Sequence, residues 1–256
     1  MHELIVHQQI PKTATTSVVE LLTDSHSRDT VAVIKIINDR RSNGDVLLVT
    51  DNDHHTGDIW ARLKQLPEST SALSIMAPWG FQNALCRPYL AFAFVRQPIS
   101  RLSSYWNFAC KTARGGKASF APFRDADFNL DVALTRMISL SFFNEQTRMI
   151  SGSNRIWLCD DDFRRAQEVI SEDFGFVGLV ESFDASIKFL RDLLGICGAG
   201  EYRLNSANGF YDFPLSMRQI RLLENLNEWD IKLYEWITMH MQEITVRARA
   251  RRQQAA

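Results

Sequence analysis

The run Leu90–Val95 reads LAFAFV, six residues with no polar group on either face of an extended strand. Such a strand must be covered on both sides, which places it inside a parallel sheet with helices above and below. The rest of the chain agrees. Leu4–Ile10, Ala72–Met76 and Phe174–Leu179 are further short strand-like runs. Helical patterns fall at Ser17–Leu22, Ile59–Leu66, Pro98 to about Lys111, Leu130–Phe142, Asn144–Ser151, Phe163–Glu172 and Ser182–Leu194. Val31–Ile37 and Val46–Thr50 are β-rich and separated by a polar stretch with Asn43-Gly44, so they are either a hairpin or successive sheet strands. Leu215–Val246 reads as one or two amphipathic helices, and Asp160, Asp161 and Asp162 suit the capping of the helix that follows them. Strands alternating with helices predict an α/β fold, a parallel sheet flanked by helices, with a mostly helical C-terminal part.

A chain of 256 residues with no repeat, low-complexity tract or linker is expected to form a single domain over 1–256. Its net charge of −1 supplies no general pull toward nucleic acid or anionic membrane, so a polyanion site has to come from local clustering. Cys86, Cys110, Cys159 and Cys197 lie far apart without zinc-ligand spacing and read as reduced thiols. The N-terminus shows neither a signal peptide nor a membrane anchor, and the simplest expectation is a cytoplasmic protein.

Between the first strand and the first helix lies Pro11-Lys12-Thr13-Ala14-Thr15-Thr16-Ser17. Free amides of a strand-to-helix turn and the helix dipole converge on one point there, and that point favours an anion. Lysine, threonines and serine add a cation and hydroxyls. The loop lacks GxxxxGK[ST], and no magnesium-binding aspartate follows a second strand, so a donor that needs no metal fits better than ATP. Helix capping alone would also explain the hydroxyls. A second cluster favours the anion. Arg96 directly follows the apolar strand, where a guanidinium needs a partner, and Ser100 and Ser104 share a face of the next helix that looks back toward it. A guanidinium and a hydroxyl at a strand's carboxyl end form a phosphate clamp.

Together IPKTATTS and FVRQPISRLSSY resemble the 5′-phosphosulfate loop and the 3′-phosphate motif of sulfotransferases that use 3′-phosphoadenosine 5′-phosphosulfate (PAPS). The likeness is closer to their carbohydrate branch, which includes heparan sulfate 2-O-sulfotransferase, and to bacterial relatives. NEQTRMISG at 144–152 and FVGLVE at 176–181 resemble a helical motif and a late strand of the same family. The resemblance implies a P-loop-like fold and sulfuryl transfer to a hydroxyl of a carbohydrate or similar acceptor, without metal. By it Lys12, Thr13, Ala14, Thr15, Thr16 and Ser17 hold the 5′-phosphosulfate, Arg96 and Ser104 hold the 3′-phosphate, and Arg203-Leu204-Asn205-Ser206 is the nearest counterpart of a covering loop.

Transfer needs charge stabilisation on the leaving phosphate, assigned to Lys12, and a general base at the acceptor hydroxyl. Relatives carry a histidine just after the strand corresponding to Ala72–Met76. Here the segment reads Met76-Ala77-Pro78-Trp79-Gly80, with no ionisable side chain. His55, with His54 beside it, and Glu145 are the candidates for a relocated base; a nucleotide-binding relative without the chemistry and a P-loop kinase are the rival readings. Arg148 could meet an anionic or sugar acceptor or form an ion pair, and Trp79 could stack on a sugar or belong to the core. Gly115-Gly116 and the charges of Lys111–Asn129 read as a mobile loop near the acceptor, and the arginines at 247, 249, 251 and 252 as a solvated helix end.

Overall fold

In a computed structural model, residues 3–26, 30–38, 46–50, 59–116, 142–196 and 216–255 are described. His54, His55, Arg203–Ser206, Cys197, the helix expected before Phe142 and most of the loop expected after Lys111 lie outside them.

Among the described residues six strands form one sheet: β1 (Leu4–Gln8), β2 (Val31–Asn38), β3 (Val46–Thr50), β4 (Ala72–Met76), β5 (Tyr89–Val95) and β6 (Phe174–Leu179), in the spatial order β3-β2-β4-β1-β5-β6. Five run parallel, and β3 is an antiparallel edge on β2. The choice left open for Val31–Ile37 resolves both ways at once, since β2 pairs with β3 on one side and with β4 on the other.

Alternation along the strands sorts the core into two layers. Leu90, Phe92 and Phe94 point to one face, where they meet Val18, Leu21 and Leu22 of α1 (Thr15–Ser25) and Phe183, Ile187 and Leu190 of α6 (Phe183–Leu194). Ala91, Ala93 and Val95 point to the other. There the cover is α2 (Ile59–Lys64), α4 (Glu145–Ser151), α5 (Asp160–Glu172) and α8 (Glu228–Met239), through Leu63, Ile150, Val169 and Leu233. The apolar run Leu90–Val95 is thus buried on both sides, as its composition demands.

Helix ends depart from the sequence expectation where capping decides them. α5 begins at Asp160 rather than Phe163 because Cys159 takes the N-cap: Asp162 accepts the Cys159 N–H at 2.8 Å, so the three aspartates form the first turn instead of preceding it. The C-terminal stretch forms three helices, α7 (Met217–Leu226), α8 and α9 (Met241–Ala255), broken at Asn227 and His240. The expected solvated end of α9 is docked. Arg251 donates to Phe174 O and Ser171 O at 3.1 Å each and Arg247 to Ile170 O at 3.2 Å, which satisfies carbonyls at the end of α5 and the start of β6.

α3 (Pro98–Arg114) follows β5, with Pro98 at its first position and Gln97 Oε1 accepting the Ser100 N–H at 2.7 Å. Its Arg101 is fully buried. The guanidinium donates to Glu145 Oε2 at 2.5 Å and to Phe142 O at 2.6 Å, and lies 3.8 Å from Asp230 Oδ2. Asp230 in turn accepts from Thr147 N at 2.8 Å and Thr147 Oγ1 at 2.9 Å. This cluster ties α3, α4 and α8 together. Asp230→Ala leaves the guanidinium and the Thr147 donors short of an acceptor, and the expected loss is about 3 kcal/mol, read as a lower denaturant midpoint.

Near the end of β1, buried His7 stacks on Phe92 with ring centroids 5.0 Å apart and places Nδ1 2.8 Å from Ser74 Oγ. Burial pushes its pKa down to about 3. The unfolded chain takes up this proton below about pH 6.5 while the folded chain refuses it, so stability falls as pH drops from there. Between pH 6.5 and 4.5 the parent should lose up to about 1.4 kcal/mol per pH unit more than His7→Gln, measured as unfolding free energies in urea at the two pH values.

Candidate active site

β1 and β5 are neighbours, with Gln8 opposite Ala93, so the segments that follow them emerge side by side at the carboxyl edge of the sheet. The chain leaving β1 enters α1 on one face. The chain leaving β5 enters α3, which joins α4 and α8 on the other. Neighbouring strands whose connections part in this way open the position where α/β sheets bind ligands.

The loop after β1 is shaped by one carbonyl. Ile10 O accepts from Thr13 Oγ1 at 2.8 Å, Thr15 Oγ1 at 3.2 Å and Thr13 N at 3.3 Å. Lys12 and Ala14 take φ of 70° and 63°, in the left-handed region that non-glycine residues avoid. The turn therefore keeps its strained form because Ile10 O fixes it at three points. It feeds directly into α1, whose first turn holds no acidic residue to offset the positive end of its dipole. The hydroxyls of Thr13 and Thr15 are spent on shaping the loop; Thr16 is exposed and Ser17 buried. What the loop still offers to a ligand is backbone amides and Lys12.

Lys12 is half-buried with Nζ 4.6 Å from the centroid of the Phe108 ring on α3. Burial lowers its pKa, and the nearby Arg96 charge lowers it further. Arg96, the first residue after β5, is also half-buried, and burial lowers its pKa while Glu181 opposes and Arg101 adds to the effect. Among the described residues no carboxylate comes within ion-pair distance of either cation. Glu181 instead accepts from Gln97 N at 2.8 Å and from the Tyr234 hydroxyl at 3.0 Å. Two neighbouring cations in a partly dry place repel each other, and an anion between them relieves that repulsion. Ser104, half-buried in the second turn of α3, lies eight residues past Arg96.

The backbone of Arg96 is held from α4. Gln146 Nε2 donates to Arg96 O and Arg96 N donates to Gln146 Oε1, each at 2.8 Å. Sequence patterning does not single out Gln146 or Phe108, although each has a signal close by. Phe108 stands one turn beyond Ser104 on α3, and Gln146 lies inside the NEQTR motif, although nothing local names its partner.

The remaining candidates are occupied elsewhere. Glu145 gives Oε2 to Arg101; burial raises its pKa and the Arg101 charge opposes the rise. Arg148 donates to Arg155 O and Ile156 O at 2.9 Å each and so holds the loop after α4. Trp79 is core: it is 4% exposed, its Nε1 donates to Asp173 at 2.8 Å, and Phe81 and Phe174 meet it edge to face. Among the described residues no group of three or more His, Cys, Asp or Glu is arranged to hold a metal ion, and no helix is long and apolar enough to cross a membrane.

No curated protein matches the chain. A family model described as "Sulfotransferase family" matches residues 2–236, a span that begins before β1, takes in the loop at Pro11–Ser17 and Arg96, and ends within α8. With that match over nearly its whole length, the chain belongs to the sulfotransferase family.

Proposed function

We propose that residues 1–256 form one domain that moves a sulfuryl group from PAPS to a hydroxyl of a carbohydrate or a similar acceptor. The observation that carries this reading is the pair Lys12 and Arg96, two neighbouring cations with no carboxylate in ion-pair distance among the described residues, in the segments that follow adjacent strands. A donor with a phosphosulfate at one end and a 3′-phosphate at the other supplies an anion to each. In this reading Lys12 and the loop residues Thr13, Ala14, Thr15, Thr16 and Ser17 hold the 5′ end, the amide of Thr13 being already given to Ile10 O, while Arg96 and Ser104 hold the 3′-phosphate.

The acceptor oxygen forms a bond to sulfur as the bond from sulfur to the 5′-phosphate oxygen breaks, and the electron pair stays on that phosphate. Stabilising this charge is the task of Lys12 and the loop amides, already oriented by the strained turn. The hydroxyl proton needs a base. With Glu145 committed to Arg101, His55 is the assignment, with His54 beside it. A second reading, a nucleotide-binding relative that no longer transfers, is favoured by the segment Met76–Gly80, which holds no ionisable side chain and whose Trp79 is turned into the core.

Adenosine 3′,5′-bisphosphate, the desulfated donor, should raise the melting temperature more than ATP with magnesium does, because only a ligand that fits the native site shifts unfolding. Stabilisation by ATP alone would exclude the donor assignment. Incubated with PAPS and a pool of glycans, the protein should add a sulfuryl mass to an acceptor. Lys12→Ala should slow that transfer by about 10²–10³-fold, and His55→Ala should slow it while leaving bisphosphate affinity unchanged. Tight bisphosphate binding with no product from the pool would select the second reading.

A further inference from the structure

Resting on the donor reading above, we propose that Gln146 is the positioning residue of the 3′-phosphate site, holding Arg96 from behind so that its guanidinium meets the nucleotide. Arg96 is the first residue beyond the last strand pairing of β5, where Val95 is matched to Leu179, so the sheet no longer supplies partners for its peptide groups. The carboxamide of Gln146 replaces them on both sides. It accepts the Arg96 N–H and donates to the Arg96 carbonyl, at 2.8 Å each, across 50 residues of sequence. An amide is one of the few side chains able to do this, since it carries an acceptor and a donor side by side in one plane.

Gln146 is itself immobilised. It is 1% exposed, and its backbone N–H donates to Asp230 Oδ2 at 3.2 Å, the same carboxylate oxygen that faces Arg101. A chain of contacts therefore runs from α8 through Asp230 and Gln146 to the backbone of Arg96. Both Gln146 bonds go to main-chain atoms, so they persist whatever side chain stands at position 96. Among the described residues no carboxylate stands within ion-pair distance of the guanidinium, which leaves it for a ligand, and the root from which it extends is held on both sides.

A residue that merely stabilises the fold would, when changed, lower the affinity for all nucleotides alike. A positioning residue for the 3′-phosphate changes one ratio. That ratio is the affinity for adenosine 3′,5′-bisphosphate over that for adenosine 5′-phosphate, measured calorimetrically on the full chain. The parent should favour the bisphosphate and Arg96→Ala should lose most of that preference. Gln146→Met should lower the ratio by about tenfold, with little further loss when combined with Arg96→Ala. Gln146→Asn retains the amide but stops one methylene short, so it should lower the ratio too and serves where the Met variant does not fold. If Arg96→Ala abolishes the preference while a folded Gln146 variant keeps the parent ratio, the role of Gln146 is overturned and the donor reading stands. If the parent shows no preference for the bisphosphate, the donor reading falls and the role of Gln146 with it.

Discussion

A guanidinium buried to zero exposure has to be neutralised where it sits, and Arg101 is neutralised by carboxylates from two other helices, Glu145 and Asp230. That requirement draws α3, α4 and α8 into one block against the sheet. It also sets the electrostatics of the edge above. Arg101 takes up the nearest acidic groups, and Glu181 spends its oxygens on the Gln97 amide and the Tyr234 hydroxyl. Arg96, five residues before Arg101, is left without a carboxylate in ion-pair distance among the described residues, with only the Glu181 charge acting on it from further off. One arginine is structural because its partners are buried with it; the other faces the position where the chains leaving β1 and β5 part.

The loop after β1 depends on the same economy of partners. Ile10 O takes three donors, which spends the hydroxyls of Thr13 and Thr15 on shape rather than on ligand. Lys12 and Ala14 remain in a backbone region that costs about 1–3 kcal/mol for each non-glycine residue. The strain is met before any ligand arrives, so the amides need little rearrangement to receive an anion. On the other side of β1 the segment Met76–Gly80 puts Ala77 and Trp79 into the core. Gly152 passes so close to Trp79 that a Cβ there would stand 2.1 Å from the Trp79 carbonyl oxygen, and the indole is fixed by Asp173. A histidine in place of Trp79 would have to break that packing.

Periodicity made the sheet legible. The doubly apolar run at Leu90–Val95 and the short runs at Ala72–Met76 and Phe174–Leu179 each became strands, because burial on both faces leaves a compositional trace that needs no partner to be read. Helix ends were less legible, since Cys159 as an N-cap and the breaks at Asn227 and His240 depend on which groups find tertiary acceptors. The site divides in the same way. The loop at Pro11–Ser17 and Arg96 announce themselves by residue type and by position at strand ends. Gln146 and Glu181 do not, because their partners stand 50 and 84 residues away in sequence. For Arg247, Arg249 and Arg251 the spacing suggested a solvated face, and what escaped it was a set of carbonyls some 77 residues upstream and the Phe189 ring beneath Arg249.

The arginines of α9 carry a consequence for how the chain is made. The carbonyls of Ile170, Ser171 and Phe174 stay without these donors until residues 247–251 have left the ribosome. Ile244 and Ala248, which fill the two layers of the core, arrive with them. During synthesis the unit of α5 and β6 is therefore an unfinished surface with polar and apolar groups both open, the kind of surface that chaperones hold and that neighbouring nascent chains misjoin. The helix that completes it is made long after the loop at Pro11–Ser17, so the two ends of this fold are finished at different times.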